Sequence, residues 1–233
     1  MKNGDQNLLV LTFYVIGVYY TFNRMIESID DMVKLDFKKS VIEEQLKEQN
    51  LQDTIGISFK TSTYSLEKLN DNLKDLSVNI ENKSDSLVVY VDWDNSSLVV
   101  EHSKQSRRVI RKSPDLIRDL AMSQIATIVA PKKTTSETIT AEDVLKRDKD
   151  SGTYSPGSPL INIVGLKNQK KLYKEFMEGT KNIEFSLQLV LRISELRVGL
   201  APGLNVPAVS IINCPFTITK LPWTYALPWN KKK

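Results

Sequence analysis

Leu8 to Phe22 read LLVLTFYVIGVYYTF, an apolar run without a single charge. A run of this kind limits where the rest of the chain can lie. As a helix it rises about 23 Å at the usual rise per residue. Adding the uncharged Asn7 and Asn23 brings it to the lower edge of the ~17–25 residues that cross a bilayer. A secretory signal fits less well. The basic n-region holds only Lys2 against Asp5, and Thr21, Phe22, Asn23 and Arg24 supply no small-x-small cleavage site. The expectation is an uncleaved transmembrane anchor, with Tyr19 and Tyr20 placed to reach an interface. A short buried helix, or an apolar helix docked into a partner, is the alternative.

The flanking bases set an orientation. Lys2 stands alone before the run, whereas Arg24, Lys34, Lys38 and Lys39 follow it within a similar distance. The positive-inside rule then puts the large C-terminal part on the cytoplasmic side, of a plasma or thylakoid membrane. The single cysteine, Cys214, agrees: it forbids an intrachain disulfide and suits a reducing compartment. Beyond the run, Ile26, Ile29, Val33, Phe37 and Val41 recur at steps of three and four. This predicts a helix reaching about Asn50, either a stalk continuing the anchor or a helix lying on the domain, and residues 1–50 are read as anchor and stalk.

From Thr54 the apolar period falls to two. Ile55, Ile57 and Phe59 alternate with small or polar residues, as do Leu76, Val78 and Ile80. Leu87–Val91 and Leu98–Val100 flank Asp94-Asn95-Ser96-Ser97, which reads as a hairpin. Further strands are expected at Gln124–Ala130, Glu137–Ala141, Leu160–Val164, Val209–Asn213 and Pro215–Lys220. The clearest is Asn182–Ser194, where Ile183, Phe185, Leu187, Leu189, Leu191 and Ile193 alternate with polar residues. Short helices are expected at Ser65–Leu73, Pro114–Met122 and Asn168–Glu178, and residues 146–159 read as a mobile loop. The fold class is mainly β: an antiparallel sandwich over residues 51–220, followed by a Pro/Trp/Lys-rich tail at 221–233.

Leu76 to Leu98, LSVNIENKSDSLVVYVDWDNSSL, resembles the opening hairpin of LEA14-type (WHy-like) domains. The matching elements are the alternating strand, the turn Asn82-Lys83-Ser84-Asp85 and the apolar return strand; the family's Asn-Pro-Asn type of turn is absent. The resemblance covers about a tenth of the chain, by residue count. It implies an immunoglobulin-like sandwich, which in several members follows one membrane anchor, and it supplies no catalytic residue. The layout of one anchor before a β domain is also similar to that of anchored cyanobacterial proteins.

Net charge is +4, from 32 basic and 28 acidic residues, too small an excess to demand nucleic acid. Asp92-Trp93-Asp94 begins like a calcium loop but lacks the glycine at loop position six and the glutamate at position twelve. The one histidine, His102, has no G-x-S-x-G serine to activate, and no H-E-x-x-H, Walker A or G-x-G-x-x-G pattern occurs. No cofactor, metal or enzymatic activity is therefore expected, although a pair of carboxylates acting as acid and base remains open.

Two segments are candidate contacts with lipid or a partner. Lys104, Arg107, Arg108, Arg111 and Lys112 form the densest basic stretch, which reads either as a solvated edge strand or as a site for anionic headgroups. Trp223, Tyr225 and Trp229, ahead of Lys231 to Lys233, suit a membrane interface, a partner's pocket, or packing over the open end of the fold. The expected function is a non-catalytic, membrane-anchored interaction protein, as accessory subunit or assembly factor of a membrane complex. A tethered lipid-binding module and an enzyme with an unrecognised carboxylate site are the alternatives.

Overall fold

A computed structural model describes residues 3–27, 31–66, 73–113, 120, 122–149, 152–195 and 208–226. The apolar run lies in helix α1 (Asn3–Glu27), whose span-length window Asn7–Ile26 has none of its surface buried. A helix apolar on nearly every face, with no residue of its span-length window buried, has the composition of a lipid-facing segment.

The expected helix forms only in its second half, where it lies on the body; its first half is a strand. After α1 the chain enters strand β1 (Met32–Phe37), and only then helix α2 (Lys39–Glu48). Val33 and Phe37 fall on the helical stripe, but with Leu35 between them they also alternate. With Val33 and Leu35 fully buried, the two-residue period wins.

The body is mainly β. Among the described residues, ten strands join one curled antiparallel sheet. Its path takes β2 (Ile55–Phe59), β4 (Leu76–Asn82), β8 (Thr134–Ala141), β6 (Gln105–Arg111), β5 (Leu87–Val100), β11 (Ile183–Glu195), β12 (Val209–Lys220), β1 and β3 (Thr63–Ser65) in that order. Strand β7 (Thr127–Val129) pairs with β5 off that path. The inward residues expected along β11 are all buried. The two ends of the sheet meet in an aromatic cluster. Phe59 of β2 lies 4.7 Å from Phe37 of β1 and 4.8 Å from Phe216 of β12, ring centre to ring centre, and Phe216 stacks on Phe185 at 4.9 Å.

Two hairpin expectations fail in informative ways. Asp94–Ser97 does turn, but within β5, whose two halves both pair with β11: Asp92 sits opposite Val190 and Ser97 opposite Gln188. The extra residues form a bulge pinned by its own side chains. Asn95 donates to the Asp92 carboxylate through its backbone N–H (3.3 Å) and its side-chain amide (2.9 Å). Ser96 Oγ donates to the Asp92 carbonyl at 2.6 Å and accepts the Val190 N–H at 3.1 Å. The second failure is the resembling block: β4 and β5 are not neighbours in the sheet. The turn between them is instead tied across the fold by Asn82, whose buried amide donates to the carbonyls of Leu87 (2.7 Å) and Val129 (2.9 Å).

Other departures are smaller. Leu160, Ile161 and Ile163 are buried but form no strand, and they lead into a 3-10 turn at Val164–Asn168 and helix α3 (Lys170–Met177), which seats Phe176 in the core. Residues read as a mobile loop contribute a small antiparallel pair, β9 (Leu145–Arg147) with β10 (Tyr154–Pro156). Strand β12 runs unbroken through Pro215, which donates nothing to the ladder. The helices expected at Ser65–Leu73 and Pro114–Met122 fall mostly outside the described residues.

Candidate functional site: two contact regions and the anchor-side end

The basic stretch is placed by an irregularity in the sheet. Strand β6 pairs with β5 at Gln105–Arg108 and then leaves it to pair with β8 at Val109–Arg111. The vacated edge of β5 is taken by β7. Where three strands diverge, backbone groups and core side chains need partners, and the basic residues provide them. Arg111, with its side chain 8 % exposed, donates to Thr127 Oγ1 at 2.6 Å and pairs with Glu137 at 3.4 Å. Thr127 Oγ1 also accepts Trp93 Nε1–H at 2.8 Å. Arg108 bonds Asp94 at 2.7 Å and the Leu120 carbonyl at 2.7 Å, with Glu142 3.5 Å away. The Asp94 hydrogen bond, opposed by burial, and the charges of Asp94 and Glu142 raise the already high pKa of Arg108. Gln124 completes the seam, donating to Asp94 Oδ2 (2.8 Å) and the Val109 carbonyl (2.7 Å) while accepting from Arg111 N–H (2.9 Å).

Arg107 is likewise committed, to Asp143 at 2.7 Å and to the Leu160 carbonyl at 2.5 Å, and Lys112 pairs with Asp75 at 2.8 Å. The sequence thus brings Arg107, Arg108, Arg111 and Lys112 together as a row, and the fold spends their charge on its own carboxylates. Lys104 differs: it is exposed on the β5–β6 turn, in the left-handed conformation at φ 52°.

The aromatic segment is placed by the N-terminus. Met32 of β1 accepts the Leu221 N–H at 2.8 Å, so the chain leaves β12 where it entered β1. Pro222 starts a 3-10 turn, Trp223–Ala226, with the Tyr225 N–H bonded to the Pro222 carbonyl at 2.9 Å. The Trp223 ring meets the Phe22 ring of α1 edge-on, 6.4 Å between centres at 88°, and Trp223 stays 37 % exposed. Around it lie the Lys220–Asp31 pair (3.0 Å) and the Lys34–Asp36 pair (2.7 Å). The Asp36 hydrogen bond and charge, with a smaller contribution from the Tyr225 phenol, hold Lys34 above the ordinary lysine value. Trp229 lies outside the described residues.

A third surface was not legible in the sequence. Pairing aligns Ile128 of β7, Tyr90 of β5, Arg192 of β11 and Val209 of β12 in one row on the outer face, with Asp92, Val190 and Ile211 in the next. Ile128, Val209 and Ile211 are 59 %, 56 % and 59 % exposed. Arg192 reaches across to Asp92 in a close ion pair. Burial alone would raise the Asp92 pKa, but hydrogen bonds from Asn95 and Arg192 outweigh it and hold the carboxyl below its usual range. Such a row emerges from register, which residue order does not display. It sits at the end of β12 far from α1, about 36 Å along the strand from Lys220 at the usual rise per residue.

No family model, curated protein or solved structure matches the chain.

Proposed function

We propose that the protein is a membrane-anchored, non-catalytic interaction module, an accessory subunit or assembly factor of a membrane complex, with its β body on the cytoplasmic side. One observation carries this reading: α1 is long and apolar enough to span, and none of its Asn7–Ile26 window is buried by the described body. An apolar helix left bare in water is unfavourable by about 25 cal/mol for each Å² of apolar surface, so lipid or a partner helix must cover it. The outer-face row at the far end of the body supports the interaction role, because exposed apolar side chains held in register are a common form of protein contact. The basic stretch does not support the lipid-binding alternative, since four of its five members are paired internally. The reading of the β body as a sandwich draws support from the way β6 passes between two halves of the curled sheet.

Extraction of membranes at alkaline pH, followed by purification in mild detergent, tests both parts. The full chain is expected to stay with the membrane pellet and to co-purify with fixed partners. Release into the alkaline supernatant would refute the anchor, and purification as an isolated chain would refute the accessory role.

A further inference from the structure

The anchor-side end of the β body carries more than an attachment point. Between Glu27, the last residue of α1, and Asp31, where the body begins, four peptide steps can span at most about 14 Å. Asp31 is fixed in the body: its carbonyl accepts the Leu66 N–H at 2.6 Å and its carboxylate pairs with Lys220. If α1 spans, this end of the sheet is confined to the membrane surface. Phe22 belongs to the span-length window, four residues before its end at Ile26, or about 6 Å of helix rise. The edge-on contact with Phe22 therefore sets the depth of Trp223: at the boundary between acyl chains and headgroups. An indole has an apolar body and one N–H donor, and that boundary is where it is most favourably placed. Pro222 and Trp223 are both exposed, and the turn that presents the ring is tied to β1 by the Leu221–Met32 hydrogen bond.

We propose that the Trp223–Ala226 turn is a second membrane contact, with the Trp223 indole seated in the lipid interface beside Phe22 and fixing the tilt of the β body on the bilayer. This rests on the reading of α1 as a lipid-spanning anchor. Its occupant is lipid, because the surface is continuous with the bare apolar face of α1.

The test uses the full chain reconstituted into phosphatidylcholine–phosphatidylglycerol vesicles whose acyl chains carry bromine close to the headgroup or close to the chain end. Of the three tryptophans, Trp93 is buried in the core, so it serves as an internal reference. Trp229→Phe leaves Trp93 and Trp223; the double variant Trp223→Phe/Trp229→Phe leaves Trp93 alone. The expected result is flotation of both variants with the vesicles, quenching of the first that is stronger with bromine near the headgroup, and loss of that quenching in the second. Flotation of both with no quenching of Trp223 would overturn the interfacial contact while leaving the anchor intact. Failure to float would overturn the anchor and the contact together. The blue-shifted emission of Trp93 reports whether each variant is folded.

Discussion

Two regions of this chain look alike in sequence, as clusters of residues that favour membrane surfaces, and the fold treats them oppositely. The basic stretch of β6 turns inward: Arg111 is buried against Thr127 and Glu137, and Arg108 is clamped by Asp94. The aromatic turn points outward, against an apolar helix that the described body leaves unburied. The lesson is that local charge density says little about exposure when a strand must change partners. A strand that leaves one neighbour for another opens a wedge, and long, multiply donating arginines can fill it. An aromatic turn next to an apolar helix has no such internal use.

The largest effect that would break this contrast is at the seam. Arg111→Ala removes the cation paired with the Glu137 carboxylate, which keeps the Thr127 hydroxyl at 3.0 Å, and takes a donor from Thr127; it should cost about 3 kcal/mol. The urea midpoint in detergent, read by Trp93 emission in the Trp223→Phe/Trp229→Phe background, checks it. A change near zero would return Arg111 to the surface. Asn82→Ala leaves the carbonyls of Leu87 and Val129 without their buried donor, and a loss of about 2 kcal/mol is expected in the same assay.

A smaller effect concerns the free flank of β12. Beyond the reach of β1, which pairs only with residues 216–220, Gln45 of α2 acts as a substitute strand. Its amide donates to the Asn213 carbonyl at 2.8 Å and accepts the Asn213 N–H at 2.8 Å. Gln49, one turn later, donates to the Ile211 carbonyl at 3.3 Å and accepts from Ser210 Oγ. Gln45→Ala should cost about 1 kcal/mol and speed exchange of the Asn213 amide; unchanged exchange would deny that the helix protects this edge.

The pH dependence sharpens the picture at the anchor-side end. His102 sits in the β5–β6 turn with Nδ1 buried and without a hydrogen-bond partner among the described residues, and burial lowers its pKa below 6.5. A histidine with a depressed folded pKa contributes fully above the unfolded value and loses that contribution as pH falls through the interval between the two. A fall in stability below about pH 6.5 that is absent in His102→Gln is expected, by denaturant titration across pH. The smallest effect closes the comparison. Trp223→Ala should change the stability of the body by less than about 0.5 kcal/mol, as for a surface position, whereas Arg111→Ala changes it severalfold more.

Much of the architecture could be read from alternation. Strand β11 shows a strict two-residue period, and its inward residues are all buried. Where residues fit two periods, as Val33 and Phe37 of β1 do, burial and not pattern decides. Asp94–Ser97 carried true turn chemistry, but the sequence does not say whether a turn reverses the chain or bulges one strand; that depends on β11, nearly a hundred residues away. The candidate site divides in the same way. The aromatic turn was legible because proline, tryptophan and tyrosine are unusual together. The pairing of the arginines and the exposed row of Ile128, Val209 and Ile211 depend on which strands become neighbours, a property of topology alone.

The account depends most on α1 lying in lipid. Spin labels placed one at a time from residue 9 to residue 25 in vesicles measure this, and native Cys214 does not interfere because it is fully buried with its thiol pKa pushed well up. The account predicts oxygen accessibility rising to a maximum near Ile16 and giving way to water-soluble relaxant by Arg24. Uniform exposure to the aqueous relaxant along the whole helix would contradict it.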